Sequence, residues 1–178
     1  MENRGFTLIE VLVAMTVLCV AALGGVQLVA MATQMMAGAR THALSAHLAS
    51  ARLEQLRGLR LAFDNAGQRV TDLSTALTAD PPGPGGSGLA DSGPATLNAN
   101  VAGFVDFLDG TGRWAGTGAA APPGAAFVRR WSIERTDVNG DLLVIQVVVR
   151  PLAGGAANAV RRVNGEVRYA TLRARVRS

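Results

Sequence analysis

The chain has 178 residues, room for one membrane-length helix and one modest outer domain. Hydrophobic residues make up 49% and aromatics 4%, and the formal charge is +4, with all seventeen basic residues arginine. A single cysteine excludes an intrachain disulfide, and with only two histidines the nucleophile-and-base pairings of a hydrolase are missing.

Charge is unevenly placed. Residues 41–128 carry five Arg against seven acids, whereas 129–178 carry ten Arg against four. The absence of Lys more simply reflects genome composition than a choice of partner.

The chain opens on a short polar leader, Met1-Glu2-Asn3-Arg4-Gly5, which runs directly into apolar sequence at Phe6. No charge occurs between Glu10 and Arg40, a run of 29 positions. As a helix, that run would extend about 44 Å at ~1.5 Å per residue, more than a ~30 Å hydrocarbon core needs. Glu10 near its start is the anomaly. A charge in a membrane helix costs roughly 2.5–3.5 kcal/mol on insertion scales, so this carboxylate is expected to have a partner. A secretory signal has an apolar core of about 7–15 residues followed by its cleavage site, which fits neither the length nor the order here. A plain single-pass anchor explains the length but not Glu10 or the Gly5-Phe6 junction.

Gly5, Phe6, Thr7, Leu8, Ile9 and Glu10, followed by the long apolar run, resemble the prepilin signature of type IV pilins and the related pseudopilins of type II secretion. The resemblance implies cleavage between Gly5 and Phe6 by a membrane prepilin peptidase and methylation of the new Phe6 amine. It also implies that Glu10, fifth in the mature chain, pairs with the Phe6 amine of a neighbouring subunit. Physics makes the pairing sensible, since a carboxylate one turn along is a natural counter-charge and low dielectric strengthens the attraction. Many pilins staple their C-terminal region with a disulfide. Cys19, within the apolar run, cannot do so and reads as a small apolar filler, a departure that favours a minor subunit or pseudopilin.

Five segments are expected: a cytoplasmic leader, 1–5, and a membrane and assembly helix, 6–36. An amphipathic outer half of the helix, 37–63, a Gly/Pro-rich variable region, 64–126, and an antiparallel sheet, 127–178, follow. Arg4 on the cytoplasmic side agrees with the positive-inside rule. Gly24-Gly25 has two readings: close approach of neighbouring helices, or a point where the helix melts in a filament. Beyond Thr33 the helix is expected to continue to about Leu61, with Leu44, Leu48, Leu56 and Leu59 in one stripe and Arg52 intruding on it. Together the two halves would make a helix of roughly 80 Å. Ala51-Arg52-Leu53-Glu54-Gln55-Leu56-Arg57 also resembles the corresponding helix of minor pilins and pseudopilins. His42 and His47 are five apart and lack the i, i+4 spacing of a helical metal pair.

Between 64 and 126, Pro81 to Gly88 reads as the clearest loop, and Gly110 to Gly118 as a second. Val101 to Leu108 between them is open to a short strand or a helical turn. Asp106 and Asp109-Gly110 hint at calcium but offer too few regularly spaced ligands.

Phe127 onward reads as sheet. Phe127, Arg129, Trp131 and Ile133 alternate with Val128, Arg130, Ser132 and Glu134. Asp137 to Asp141 supplies an Asn-Gly hairpin turn, and Leu142 to Val149 is expected to be the central strand. A loop at Gly154 to Asn158 precedes a last strand from about Glu166 to Val176. There Thr171, Arg173, Arg175 and Arg177 share the face opposite Ala170, Leu172, Ala174 and Val176. The Phe-Val-Arg-Arg-Trp hairpin and Arg-edged final strand are similar to the C-terminal domain of minor pilins of the pilus-modification class. Arg173, Arg175 and Arg177 have three readings: DNA phosphate contact, a solvated or charge-protected sheet face, and pairing with acidic neighbours in a filament.

The expected fold class is α+β, a long helix whose outer half packs on an antiparallel sheet of roughly four strands. The expected role is that of a non-enzymatic minor pilin or pseudopilin, with no cofactor and no metal. Its implied partners are the prepilin peptidase, other pilin subunits, the inner-membrane assembly platform and lipid, with DNA a further candidate. Its implied location is the inner membrane, then a surface pilus or periplasmic pseudopilus. The rival is a single-pass membrane protein whose outer domain binds a ligand or DNA.

Overall fold

Ala, Leu, Met and Gln fill the segment after Thr7 and favour helix almost everywhere. In the computed structural model, which describes residues 7–136, 142–152 and 165–174, they form one helix, α1 (Leu8–Gly58). The chain divides within this helix into two units, residues 1–39 and 40–178. In the first unit α1 is apolar on every side. Its large side chains range from 50% exposed at Val11 to 83% at Leu8. It is long and apolar enough to cross a membrane.

In the second unit the outer part of α1 buries one stripe, Ser45, Leu48, Ala49, Arg52 and Leu56. The stripe follows helical spacing, so a single face meets the sheet. The helix stops at Gly58, sooner than the Leu61 the leucine pattern predicts. Leu61–Phe63 is instead strand β1, antiparallel to β2 (Arg69–Thr71). A second small ribbon pairs β3 (Thr75–Ala76) with β4 (Gly83–Pro84), and β4 lies within Pro81 to Gly88, the stretch that reads as the clearest loop. Gly86 follows, where a Cβ would lie 2.1 Å from the Ala76 Cα, so only glycine lets the backbones come this close.

The main sheet has five strands among the described residues, one more than expected. They are β5 (Val105–Leu108), β6 (Trp114–Gly116), β7 (Phe127–Arg135), β8 (Leu142–Pro151) and β9 (Val167–Ala174). The order is β6-β5-β7-β8-β9, and every pairing is antiparallel. The middle strand is therefore β7, with the β-rich β8 beside it. β5 and β6 come from the Gly/Pro-rich region, β5 within the Val101 to Leu108 segment left open to a short strand. The hairpin turn predicted at 137–141 and the loop at 154–158 lie outside the described residues.

Alternation along β7 and β8 builds the core. Phe127, Trp131 and Ile133 join Leu143, Ile145, Val147 and Val149 against Leu48, Ala49 and Leu56 of α1. Full burial of such side chains contributes about 1.5–3 kcal/mol each. On the other face of the sheet, Val105, Phe107 and Val128 form a smaller cluster with Ala125 and Leu152. Arg130 reaches over that face to donate to Asn100 Oδ1 at 2.9 Å.

Candidate assembly helix and buried charge cluster

The first turn of α1 is set by Thr7, whose carbonyl accepts from the Glu10 N–H at 3.0 Å and the Val11 N–H at 3.3 Å. Glu10 is exposed within that turn. A carboxylate near a helix N-terminus gains about 0.3–1 kcal/mol from the helix dipole. That is less than the roughly 2.5–3.5 kcal/mol a charge costs at mid-membrane, although Glu10 sits toward one end. The dipole therefore offsets only part of the cost of Glu10, and a counter-charge outside this chain would offset more. Gly24 and Gly25 tell a similar story. The helix runs through them unbroken, and a Cβ at either would meet nothing within 4 Å. Among the described residues nothing requires glycine there.

The second unit holds a buried cluster of three charges from three elements. Asp106 on β5 is fully buried, while Arg52 on α1 and Arg129 on β7 are nearly so. Arg52 Nη2 donates to Asp106 Oδ2 at 2.5 Å. Arg129 forks onto the same carboxylate, Nε to Oδ1 at 3.0 Å and Nη2 to Oδ2 at 2.7 Å. Nη1 of each arginine reaches a backbone carbonyl, Arg52 to Leu77 O at 2.6 Å and Arg129 to Leu48 O at 3.2 Å, while the buried Arg52 Nε has no hydrogen-bond partner among the described residues. The Arg52 guanidinium also lies 4.7 Å from the centre of the Trp131 ring, a cation–π arrangement. Two cations share one anion here. Burial, with repulsion from Arg129, pulls the Arg52 pKa down from its ordinary value to about 10 against the pull of Asp106.

Residues 1–26 match the family model of the prokaryotic N-terminal methylation motif, the prepilin signature of type IV pilins. The chain carries a prepilin signature. It runs from the leader into α1, past Glu10 and Gly24-Gly25, and ends where the charge-free run still has thirteen residues to go before Arg40. No curated protein and no solved structure matches the chain in the other two comparisons. The signature joined to a long apolar helix, with a small antiparallel sheet in the outer unit, is a pilin-like α+β arrangement.

The residues singled out in the sequence are placed as follows. Gly5 and Phe6 lie outside the described residues, as do Arg175 and Arg177. Arg173 is half-buried on the helix-facing side of β9 and donates to Leu59 O at 3.0 Å, just past the end of α1. Burial, and then the nearby Arg57, lower its pKa. It caps a helix end and complements the helix dipole. The alternation predicted for this strand holds, but its solvated side carries Arg168, Ala170, Leu172 and Ala174.

Asp106 has both carboxylate oxygens occupied by arginine. Asp109 Oδ1 accepts from the backbone N–H groups of Thr111 and Arg113 and from the Thr111 hydroxyl. These two aspartates are a core counter-ion and a turn former, which replaces the calcium hint. The sequence marked Arg52 as an intruder but gave no signal for its partners.

Proposed function

We propose that this chain is a structural, non-enzymatic subunit of a type IV pilus or a related pseudopilus, most simply a minor one. In this reading the peptidase cuts between Gly5 and Phe6 and the Phe6 amine is methylated. The subunit then waits in the inner membrane with its sheet domain outside. It joins a helical filament through α1, in contact with other pilin subunits and the assembly platform. One observation carries the reading: the prepilin signature continues into a helix whose apolar side chains are exposed all round, with a carboxylate in its first turn. So much exposed apolar surface needs lipid or packed neighbours. A helix can exchange one for the other without rearranging its own backbone. Identical head-to-tail contacts then build an open helical filament.

Glu10 is assigned the register of this assembly, as the counter-charge of an incoming Phe6 amine. The test separates processing from assembly. Glu10→Ala should still be cut to a chain starting at Phe6, because the scissile bond lies several residues away. It should accumulate normally in the inner membrane, since lipid accepts alanine more readily than a carboxylate. It should be strongly depleted from sheared filaments, because an uncompensated amine among packed helices is costly. Equal incorporation of mutant and wild-type chains would remove the pairing mechanism while leaving the pilin reading intact.

A further inference from the structure

Arg52 interrupts a helix row that is otherwise leucine: Leu44, Leu48, Arg52 and Leu56 follow at intervals of four. The row beside it, Thr41, Ser45 and Ala49, is small throughout. Slide this helix one turn along its axis, about 5.4 Å, so that each residue takes the slot of the one four places later. Leu44 then replaces Leu48, Ser45 replaces Ala49 and Thr41 replaces Ser45. Along this buried row side chains of like volume exchange with little penalty, so the row itself barely separates the two registers. At its margins the slide costs more, since Ala49 would replace Leu53 and Arg40 would replace Leu44.

The charge cluster separates them. In the slid register Leu48 faces Asp106 and Arg129, which β5 and β7 hold in place. The carboxylate loses one of its two cations, and Leu77 O loses its donor. Arg52 itself arrives in the slot of Leu56, which is fully enclosed. Buried ion pairs are a weak source of net stability, but separating the partners strands charge in apolar surroundings.

We propose that the Arg52–Asp106–Arg129 cluster is a register lock, which selects one placement of the outer part of α1 on its sheet against a one-turn slip. Arg52 is the positioning residue, and the leucines around it supply adhesion without register. In a filament subunit, this lock would set which turn of the assembly helix carries the domain. The lock itself rests on the geometry of the second unit alone.

The test uses full-length chain in detergent micelles, with Cys19→Ala and spin labels on His47→Cys paired with Arg168→Cys or, separately, with Leu73→Cys. All three label sites are exposed. Double electron–electron resonance on the parent should give one narrow spacing per pair. Leu48→Arg with Arg52→Leu moves the arginine back one turn and keeps every charge. It should shift the spacings to those of a helix slid by about 5.4 Å. Arg52→Met, Asp106→Leu and Arg129→Met together should show the slid spacing, alone or mixed with the native one. Native spacings alone in either variant, or an unfolded moved-arginine variant, would overturn the lock and assign the register to the short Leu59-Arg60 connection. Should the triple variant not fold, the moved-arginine variant decides.

Discussion

Asp106 serves two guanidinium groups with one carboxylate, so its removal leaves Arg52 and Arg129 facing one another in an apolar core. Breaking a buried pair in this way typically costs about 3–5 kcal/mol. Asp106→Leu should therefore lose most or all of the cooperative unfolding of the outer domain in urea. A midpoint shift equivalent to under 1 kcal/mol would mean that the cluster is already hydrated. Arg52 also has a pH signature, at the alkaline end. Its folded pKa, about 10, lies below the value of an ordinary arginine. Between those values the unfolded chain holds the proton longer, so the contribution of Arg52 favours folding more as pH rises. At neutral pH it is charged in both states and contributes no slope.

Asp72 and Asp109 act at the acid end. Hydrogen bonds from Thr75 and its neighbours lower the Asp72 pKa below 3.8, and those from Thr111 and Arg113 do the same for Asp109. A depressed carboxylate stabilises the fold above its unfolded value and loses that contribution as pH falls through the folded one. The domain should therefore lose stability below about pH 3.8. Asp72→Asn should flatten that slope in acid titration followed by circular dichroism. An unchanged slope would assign the acid response to other groups.

At the scale of elements, what was legible depended on how local the signal was. The apolar part of α1 could be read directly, because 29 uncharged residues in sequence report on themselves. The stripe on its outer half was legible too, including its one flaw at Arg52. The partner of that flaw lies 54 residues away, inside a Gly-rich region, and no periodicity links them. β5 and β6 were hard to see for the same reason. Strands of four and three residues are too short to show alternation; β5 pairs with the edge of β7, and β6 pairs with β5. The phase of β9 was misjudged as solvent-facing at Arg173, since an arginine on a strand usually points outward. Here the carbonyl of Leu59 at the end of α1 draws it in. Arg173→Ala should cost about 0.5–1.5 kcal/mol and speed hydrogen exchange at the last turn of α1. Unaltered exchange there would show that Leu59 is satisfied by other means.

At the scale of the molecule, two kinds of surface divide the work. The first unit exposes apolar side chains on every side, a surface that lipid or neighbouring helices could cover. The second unit buries its apolar stripe and holds it with charge. The proposed assembly role of the first unit rests on its being processed as a prepilin. The most direct measurement is N-terminal mass spectrometry of the protein extracted from membranes of a strain with active prepilin peptidase, alongside the Gly5→Val variant. The account predicts a chain that starts at a methylated Phe6. For Gly5→Val it predicts an unprocessed chain starting at Met1, because a branched side chain before the scissile bond obstructs the cut. An intact Met1 end on the wild-type chain would contradict it.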